Sequence, residues 1–112
     1  MNLLNIFLAI VAVESGGYQY AIGDKGNAVG PAQIWPAVVQ DCNRIAGKNF
    51  TLADRYCFNK SQQMFEIYTN HYGRKYGTIT PEIRARIWNG GPAGPKKQAT
   101  NKYWSKVRAR IK

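Results

Sequence analysis

From Leu3 to Val13 the chain is apolar at every position except Asn5, and the run stops abruptly at Glu14-Ser15-Gly16-Gly17. A segment of that length fits a buried helix and is too short to span a membrane. Paired glycines are a common helix stop, so a first helix is expected over Asn2–Ser15. No basic segment precedes the run and no small-residue cleavage site separates it from Glu14, so it reads as a core helix of the mature fold, not an export signal. Residues Tyr18 to Gly30 lose all periodicity, and Gly23-Asp24-Lys25-Gly26-Asn27 predicts a hairpin or tight loop.

Helical spacing then returns. Pro36 fits the first turn of a second helix reaching Ala46, and Thr51–Tyr56 reads as one short turn. Between Ser61 and Tyr76, the residues Met64, Phe65, Ile67, Tyr68 and Tyr72 fall on one side of a helix. Thr80-Pro81-Glu82 combines an N-cap, a proline at the first helical position and an acid favoured by the helix dipole, which predicts a helix to Asn89. Gly90-Gly91-Pro92-Ala93-Gly94-Pro95 is a loop, and a last helix is expected over Thr100–Arg110. No repeat, low-complexity tract or linker interrupts the pattern. It predicts one compact, mostly α domain over 1–112, with a short hairpin or loop between the first two helices.

Length and composition agree with that picture. A chain of 112 residues, 45% hydrophobic and 12% aromatic, builds one core and no second. Charge adds something new: 16 Lys and Arg against 6 Asp and Glu give +10, a field that concentrates anionic partners. Nucleic acid, acidic lipid and the bacterial cell wall are the candidates. The cations crowd the end, at Lys96, Lys97, Lys102, Lys106, Arg108, Arg110 and Lys112, where a solvated helix face is the plain alternative. The chain has no named nucleic-acid motif. Cys42 and Cys57 are too far apart for a C-x-x-C pattern, and with the single His71 they do not make up a metal site, so neither metal nor cofactor is expected. The two cysteines either close a loop worth about 3 kcal/mol in an oxidising compartment or act as small buried hydrophobes. Neither sits in a recognisable nucleophile setting. The triplets Asn49-Phe50-Thr51 and Asn59-Lys60-Ser61 would matter only in a eukaryotic secretory route.

Glu14 is where pattern and chemistry meet. A carboxylate at the inner end of an apolar helix, beside a glycine-lined cavity, has its charged form disfavoured by desolvation, so its pKa rises. A general acid working near neutral pH needs that, and glycoside cleavage is the reaction class that most needs such an acid. The plain alternative is a surface glutamate at a helix C-terminus, where the dipole disfavours it. Glu14 alone does not choose between them.

Its companions do. Glu14-Ser15, then Gly30-Pro31-Ala32-Gln33-Ile34, then Ile87-Trp88-Asn89-Gly90-Gly91 occur in that order. This set resembles the Glu-Ser, G-L-M-Q-like and A-Y-N-x-G-like segments of the lysozyme-like superfamily, which includes soluble lytic transglycosylases and goose-type lysozymes. The stretch Gly23 to Gln33 has the G-D-x-G-N-x-x-G-x-x-Q form seen in goose-type lysozymes, and Tyr103-Trp104-Ser105-Lys106-Val107 is similar to a Y-W-x-K-V ending found in many members. The matched segments span Ile10 to Val107.

The resemblance implies an α+β lysozyme-like fold with a saccharide cleft. It also implies muramidase cleavage of the MurNAc-GlcNAc β-1,4 bond of peptidoglycan, with Glu14 as the catalytic acid. Ser15 and Gln33 would shape the site, Asn89 would bond substrate from the other wall, and Tyr68 or Tyr72 would supply an aromatic hydroxyl. Tyr103 and Trp104 would form a stacking or cleft-closing surface. Each has a plainer reading: Ser15 as a helix-end polar residue, Gln33 as a turn amide, the aromatics as core. Pro31-Ala32 replaces the usual Leu-Met, Trp88 replaces a Tyr, and Trp35 stands where goose-type lysozymes have an Asp. Asp24 is then the only acid in the right neighbourhood for a second carboxylate, unless it merely caps the turn at Gly26 or Asn27. Without it, Glu14 could act as acid and then base while the sugar's own hydroxyl attacks, the lytic transglycosylase route to 1,6-anhydro products. A silent wall binder and a nucleic-acid module are the non-enzymatic alternatives. The expected setting is a monomer acting at the bacterial wall or periplasm, with no membrane span and no specific nucleic acid; the delivery route stays open among phage, virus and secretion apparatus.

Overall fold

The computed structural model describes residues 2–112. Among these residues, five α-helices and one two-stranded antiparallel sheet form a body of 30 × 29 × 26 Å. Helix α1 (Leu3–Ser15) begins at Asn2, whose side chain accepts from the Asn5 N–H at 2.9 Å. It ends at Gly16, whose left-handed backbone returns its N–H to Ala12 O at 3.1 Å. The helix buries Ile6, Phe7, Ala9, Ile10 and Val11 against α3, α4 and α5. The apolar run is nonetheless not wholly internal, since Leu4 and Leu8 remain 42% and 46% exposed.

Strands β1 (Ile22–Gly23) and β2 (Ala28–Val29) make the expected hairpin, paired Ile22 with Val29 and Gly23 with Ala28. Helix α2 (Pro36–Ala46) starts at its proline and packs on α3. A 3-10 turn over Leu52–Tyr56 is closed by reciprocal bonds between Thr51 and Asp54, a capping box. Its Arg55 is buried and its guanidinium donates to Leu52 O, Asn27 O and Ile34 O, which ties this turn to the hairpin.

Helix α3 spans Phe58–Gly73, three residues earlier at both ends than the apolar spacing predicts. Ser61 lies inside the first turns and not at the start: its hydroxyl is buried and donates to Arg55 O at 3.0 Å, and the helix begins at Phe58 with Cys57 as the preceding extended residue. At the other end Ile79 packs on Gly73, and the chain tightens into a 3-10 turn over Arg74–Tyr76. Helix α4 (Pro81–Gly90) carries the expected Thr80 cap, and α5 runs over Thr100–Arg108, two residues short of expectation.

The core centres on Phe7, which meets Phe58 edge-on at 5.1 Å and Phe65 at 5.4 Å, with Ile10, Ile34, Met64, Ile87 and Val107 around them. Truncating such a residue to alanine costs about 3–5 kcal/mol. The cysteines are unpaired. Cys42 is buried, bonds Met64 O at 3.4 Å and has its thiol pushed up to about 12 chiefly by burial, while Cys57 is exposed. The buried-hydrophobe reading therefore applies to Cys42, and no disulfide closes the loop. Among the described residues no helix is long and apolar enough to cross a membrane.

Candidate active site

Helix α1 delivers Glu14 to the floor of a cleft of about 190 Å³ lined by Glu14, Asp24, Gln33, Trp35, Trp88 and Asn89. These residues come from α1, the hairpin, the turn after it and α4, so the cleft exists only in the folded chain. Burial is the largest influence on the Glu14 carboxyl and raises it from 4.5 to about 7. A hydrogen bond from Tyr103 opposes that rise, and the charge of Asp24 reinforces it. The Tyr103 hydroxyl donates to Glu14 Oε2 at 2.8 Å. Burial and the neighbouring carboxylate hold the phenol well above its ordinary pKa, so Tyr103 stays a neutral donor.

The hairpin brings Asp24 into the lining of the same cleft as Glu14. Asp24 and Lys25 both have positive φ, 49° and 57°, which folds the tip into a tight reversal. Asn27 is bonded through its N–H and its side-chain amide to the Asp24 carbonyl oxygen, not to the carboxylate. Asp24 is exposed, and among the described residues its carboxylate accepts no hydrogen bond and enters no ion pair. The turn is held by the backbone of Asp24.

Gln33 is the third non-glycine residue with positive φ, 52°. Its amide donates to Ala21 O at 3.1 Å and Gly30 O at 3.0 Å, which fixes that conformation and welds the turn to the hairpin. The amide oxygen fills the space where a side chain on Gly23 would stand. Gly30, at φ 86°, lies against the Arg55 carbonyl with no room for a Cβ. Ser15 anchors the same turn from α1: its hydroxyl lies 2.8 Å from Pro31 O and 3.2 Å from Val11 O and accepts from the Gly17 N–H. It does not line the cleft.

The opposite wall is α4. The Trp88 indole N–H donates to Ala32 O at 3.1 Å, bridging the two walls at the cleft floor. Tyr68 packs behind Trp88, ring centroids 5.9 Å apart and nearly perpendicular, and is buried there. It supports the wall and does not reach the cavity. Tyr72 is committed elsewhere, donating to Asp41 Oδ2 at 2.6 Å. Neither tyrosine of α3 meets Glu14; the aromatic hydroxyl comes from Tyr103, 89 residues away in the chain. Asn89 is exposed on the α4 side, and Trp35, 45% exposed at the start of α2, forms the outer lip. The sequence marked Trp35 only as a replacement, yet an indole two residues after Gln33, beside a glycine-rich turn, was the available signal.

The arrangement is a partly desolvated carboxylic acid and an unpartnered carboxylate lining one groove together with two flat indoles. No protein-family model matches the sequence, and no curated protein matches it significantly. Solved structures do match. The chain is 28% identical to the lysozyme of Tapes japonica, covering 93% of this chain and 86% of that one with a TM-score of 0.78. It is 27% identical to an inhibitor-bound lysozyme from Meretrix lusoria, covering 94% and 87% with a TM-score of 0.80. A chain in the crystal structure of Aeromonas hydrophila PliI in complex with Meretrix lusoria lysozyme matches at 27% identity, 94% and 87% coverage and a TM-score of 0.81. The architecture is thus the lysozyme-like fold, as the ordered motifs imply.

Proposed function

We propose that the protein is a muramidase that cuts peptidoglycan glycan strands at the MurNAc-GlcNAc β-1,4 bond, with Glu14 as general acid. The observation that carries this reading is the carboxyl of Glu14, held near pKa 7 in a cleft that Asp24 also lines. The similarity to lysozyme structures supports it. Residues 1–112 act as a single catalytic domain, as a monomer, at the bacterial wall, and the +10 charge favours the anionic polymer.

In this mechanism Tyr103 occupies Oε2, so the proton travels from Oε1 to the glycosidic oxygen as the C–O bond breaks. Asp24 takes a proton from the water that attacks the anomeric carbon, leaving an inverted reducing end. Trp35 and Trp88 offer flat apolar surfaces to the sugar rings, and Asn89 bonds substrate from the α4 wall. Gln33 and Ser15 act by holding the turn that shapes the floor. The exposure of Asp24 is the one observation that favours the lytic transglycosylase route, in which Glu14 returns as base and Asp24 is dispensable.

Mass spectrometry of the fragments released from purified murein sacculi separates the two. Reducing muropeptides that disappear in Asp24→Asn are the expected result. Anhydromuropeptides that survive Asp24→Asn would move the reaction to transglycosylation, and no fragments from any wall type would overturn the assignment as an enzyme.

A further inference from the structure

Two cavities away from the cleft are larger than it is. One, of about 360 Å³, is lined by Asn5, Leu8, Ala12, Arg110 and Lys112. The other, of about 340 Å³, is lined by Ala12, Val13, Lys106, Ala109 and Arg110. They share Ala12 and Arg110, so they form one trough between the outer face of α1 and the C-terminal end of α5. The trough shares no lining residue with the Glu14 cleft.

Its chemistry is two-sided. The α1 side is apolar at Leu8, Ala12 and Val13 with one polar residue, Asn5, and Leu4 lies just beyond the lining, one turn before Leu8 on the same face, both leucines well exposed to solvent. The α5 side supplies Lys106, Arg110 and Lys112, and no acidic residue lines either part. The ion pairs among the described residues are Arg44 with Asp41 and Arg86 with Glu82, so these three exposed cations have no carboxylate partner there. An apolar strip beside unpaired cations is the pattern of a surface that rests on an anionic bilayer: leucines enter the acyl boundary, and cations meet the headgroup phosphates. A glycan strand has no acyl layer for protruding leucines to enter, and nucleic acid gains nothing from exposed leucines.

We propose that this trough docks the protein on an anionic phospholipid membrane, through Leu4 and Leu8 on α1 and Lys106, Arg110 and Lys112 at the C-terminal end. Docking of this kind is peripheral, and it leaves the Glu14 cleft open because the two sites share no residue. It does not depend on the muramidase reading, since it concerns a different surface and a different ligand.

Co-sedimentation with vesicles of phosphatidylcholine alone and of phosphatidylcholine with phosphatidylglycerol tests it in the absence of any wall. Binding is expected only to the anionic vesicles and should weaken as salt rises. Arg110→Glu/Lys112→Glu should lower the partition by at least roughly tenfold, each cation near the surface being worth about fivefold. Leu4→Ser/Leu8→Ser should lower it comparably, with an unchanged salt dependence. Glu14→Gln should bind as the wild type does. Thermal melts check that each variant folds, and Arg110→Gln/Lys112→Gln substitutes if charge reversal disturbs the end of α5.

Three results would overturn the proposal. The leucine variant could bind as the wild type does. Lys48→Glu/Lys60→Glu, outside the trough, could weaken binding as much as Arg110→Glu/Lys112→Glu, which would make the attraction diffuse. Or sedimentation equilibrium could give a dimer that the leucine variant dissociates, which would make the trough a contact between two copies.

Discussion

Replacing Tyr103 with phenylalanine removes one oxygen atom and should move the pH range in which the enzyme works. In the folded chain the Tyr103 hydroxyl donates to Glu14 Oε2 at 2.8 Å, and this bond is the influence that pulls the Glu14 carboxyl down against the rise caused by burial. A hydrogen bond to a charged group is worth about 1.5–3 kcal/mol. One pKa unit corresponds to about 1.4 kcal/mol, so loss of the donor raises Glu14 by about 1–2 units above its value of about 7. A general acid is active when protonated, so activity falls as pH rises through that pKa. The alkaline limb of kcat/KM for the wild type is therefore expected near pH 7, and that of Tyr103→Phe at about pH 8–9. The maximal rate should fall as well, by roughly tenfold, because the carboxyl is no longer held in one rotamer. The assay is release of dye from labelled sacculi between pH 4 and 10, with a 13C titration of Glu14 in parallel. An alkaline limb that stays in place or moves down would refute the reasoning, whatever the rate.

Other consequences concern stability and packing. Because burial raises Glu14 from 4.5 to about 7, its contribution favours the folded state below pH 4.5 and is lost as pH rises through 7. Glu14→Gln should thus gain up to about 3 kcal/mol over the wild type at pH 8 and much less at pH 4, as urea unfolding at the two pH values would show. Gly30→Ala puts a Cβ onto the Arg55 carbonyl at a positive φ, and should cost at least about 3 kcal/mol in thermal unfolding. Trp88→Phe keeps a flat ring but gives up the bond to Ala32 O; a loss of about 1 kcal/mol in stability with a larger loss in kcat is expected.

Much of this architecture was legible in the chain because its signals are local. The apolar run and its glycine stop fix α1 and leave Glu14 at its end. Pro36 and Thr80-Pro81 announce α2 and α4, and the glycines around Asp24 announce the hairpin. Features that depend on distant partners were not legible. Nothing near Tyr103 says that its hydroxyl ends on a glutamate 89 residues away, nor does Arg55 advertise that it will be buried as a tie between the hairpin and the 3-10 turn. Tyr68 shows the same limit from the other side. Its helical spacing placed it on the inner face of α3, but only the packing of Trp88 in front of it decides that it supports the cleft wall without reaching the cleft. Ser15 likewise sits next to Glu14 in sequence while its hydroxyl is turned to the carbonyl of Pro31. The outer face of α1 was hidden for a different reason: an unbroken apolar run carries no mark of which side will be left uncovered, and Leu4 and Leu8 are the side that was.

The central claim is that the Glu14 carboxyl delivers the proton that breaks a glycosidic bond in peptidoglycan. Its most direct test is the rate at which equal amounts of folded wild type and Glu14→Gln release soluble muropeptides from purified sacculi at pH 5. The account predicts fragments from the wild type and a fall of at least about a hundredfold in the variant, with wall binding retained. Equal release by the two proteins would contradict it and remove Glu14 from the chemistry.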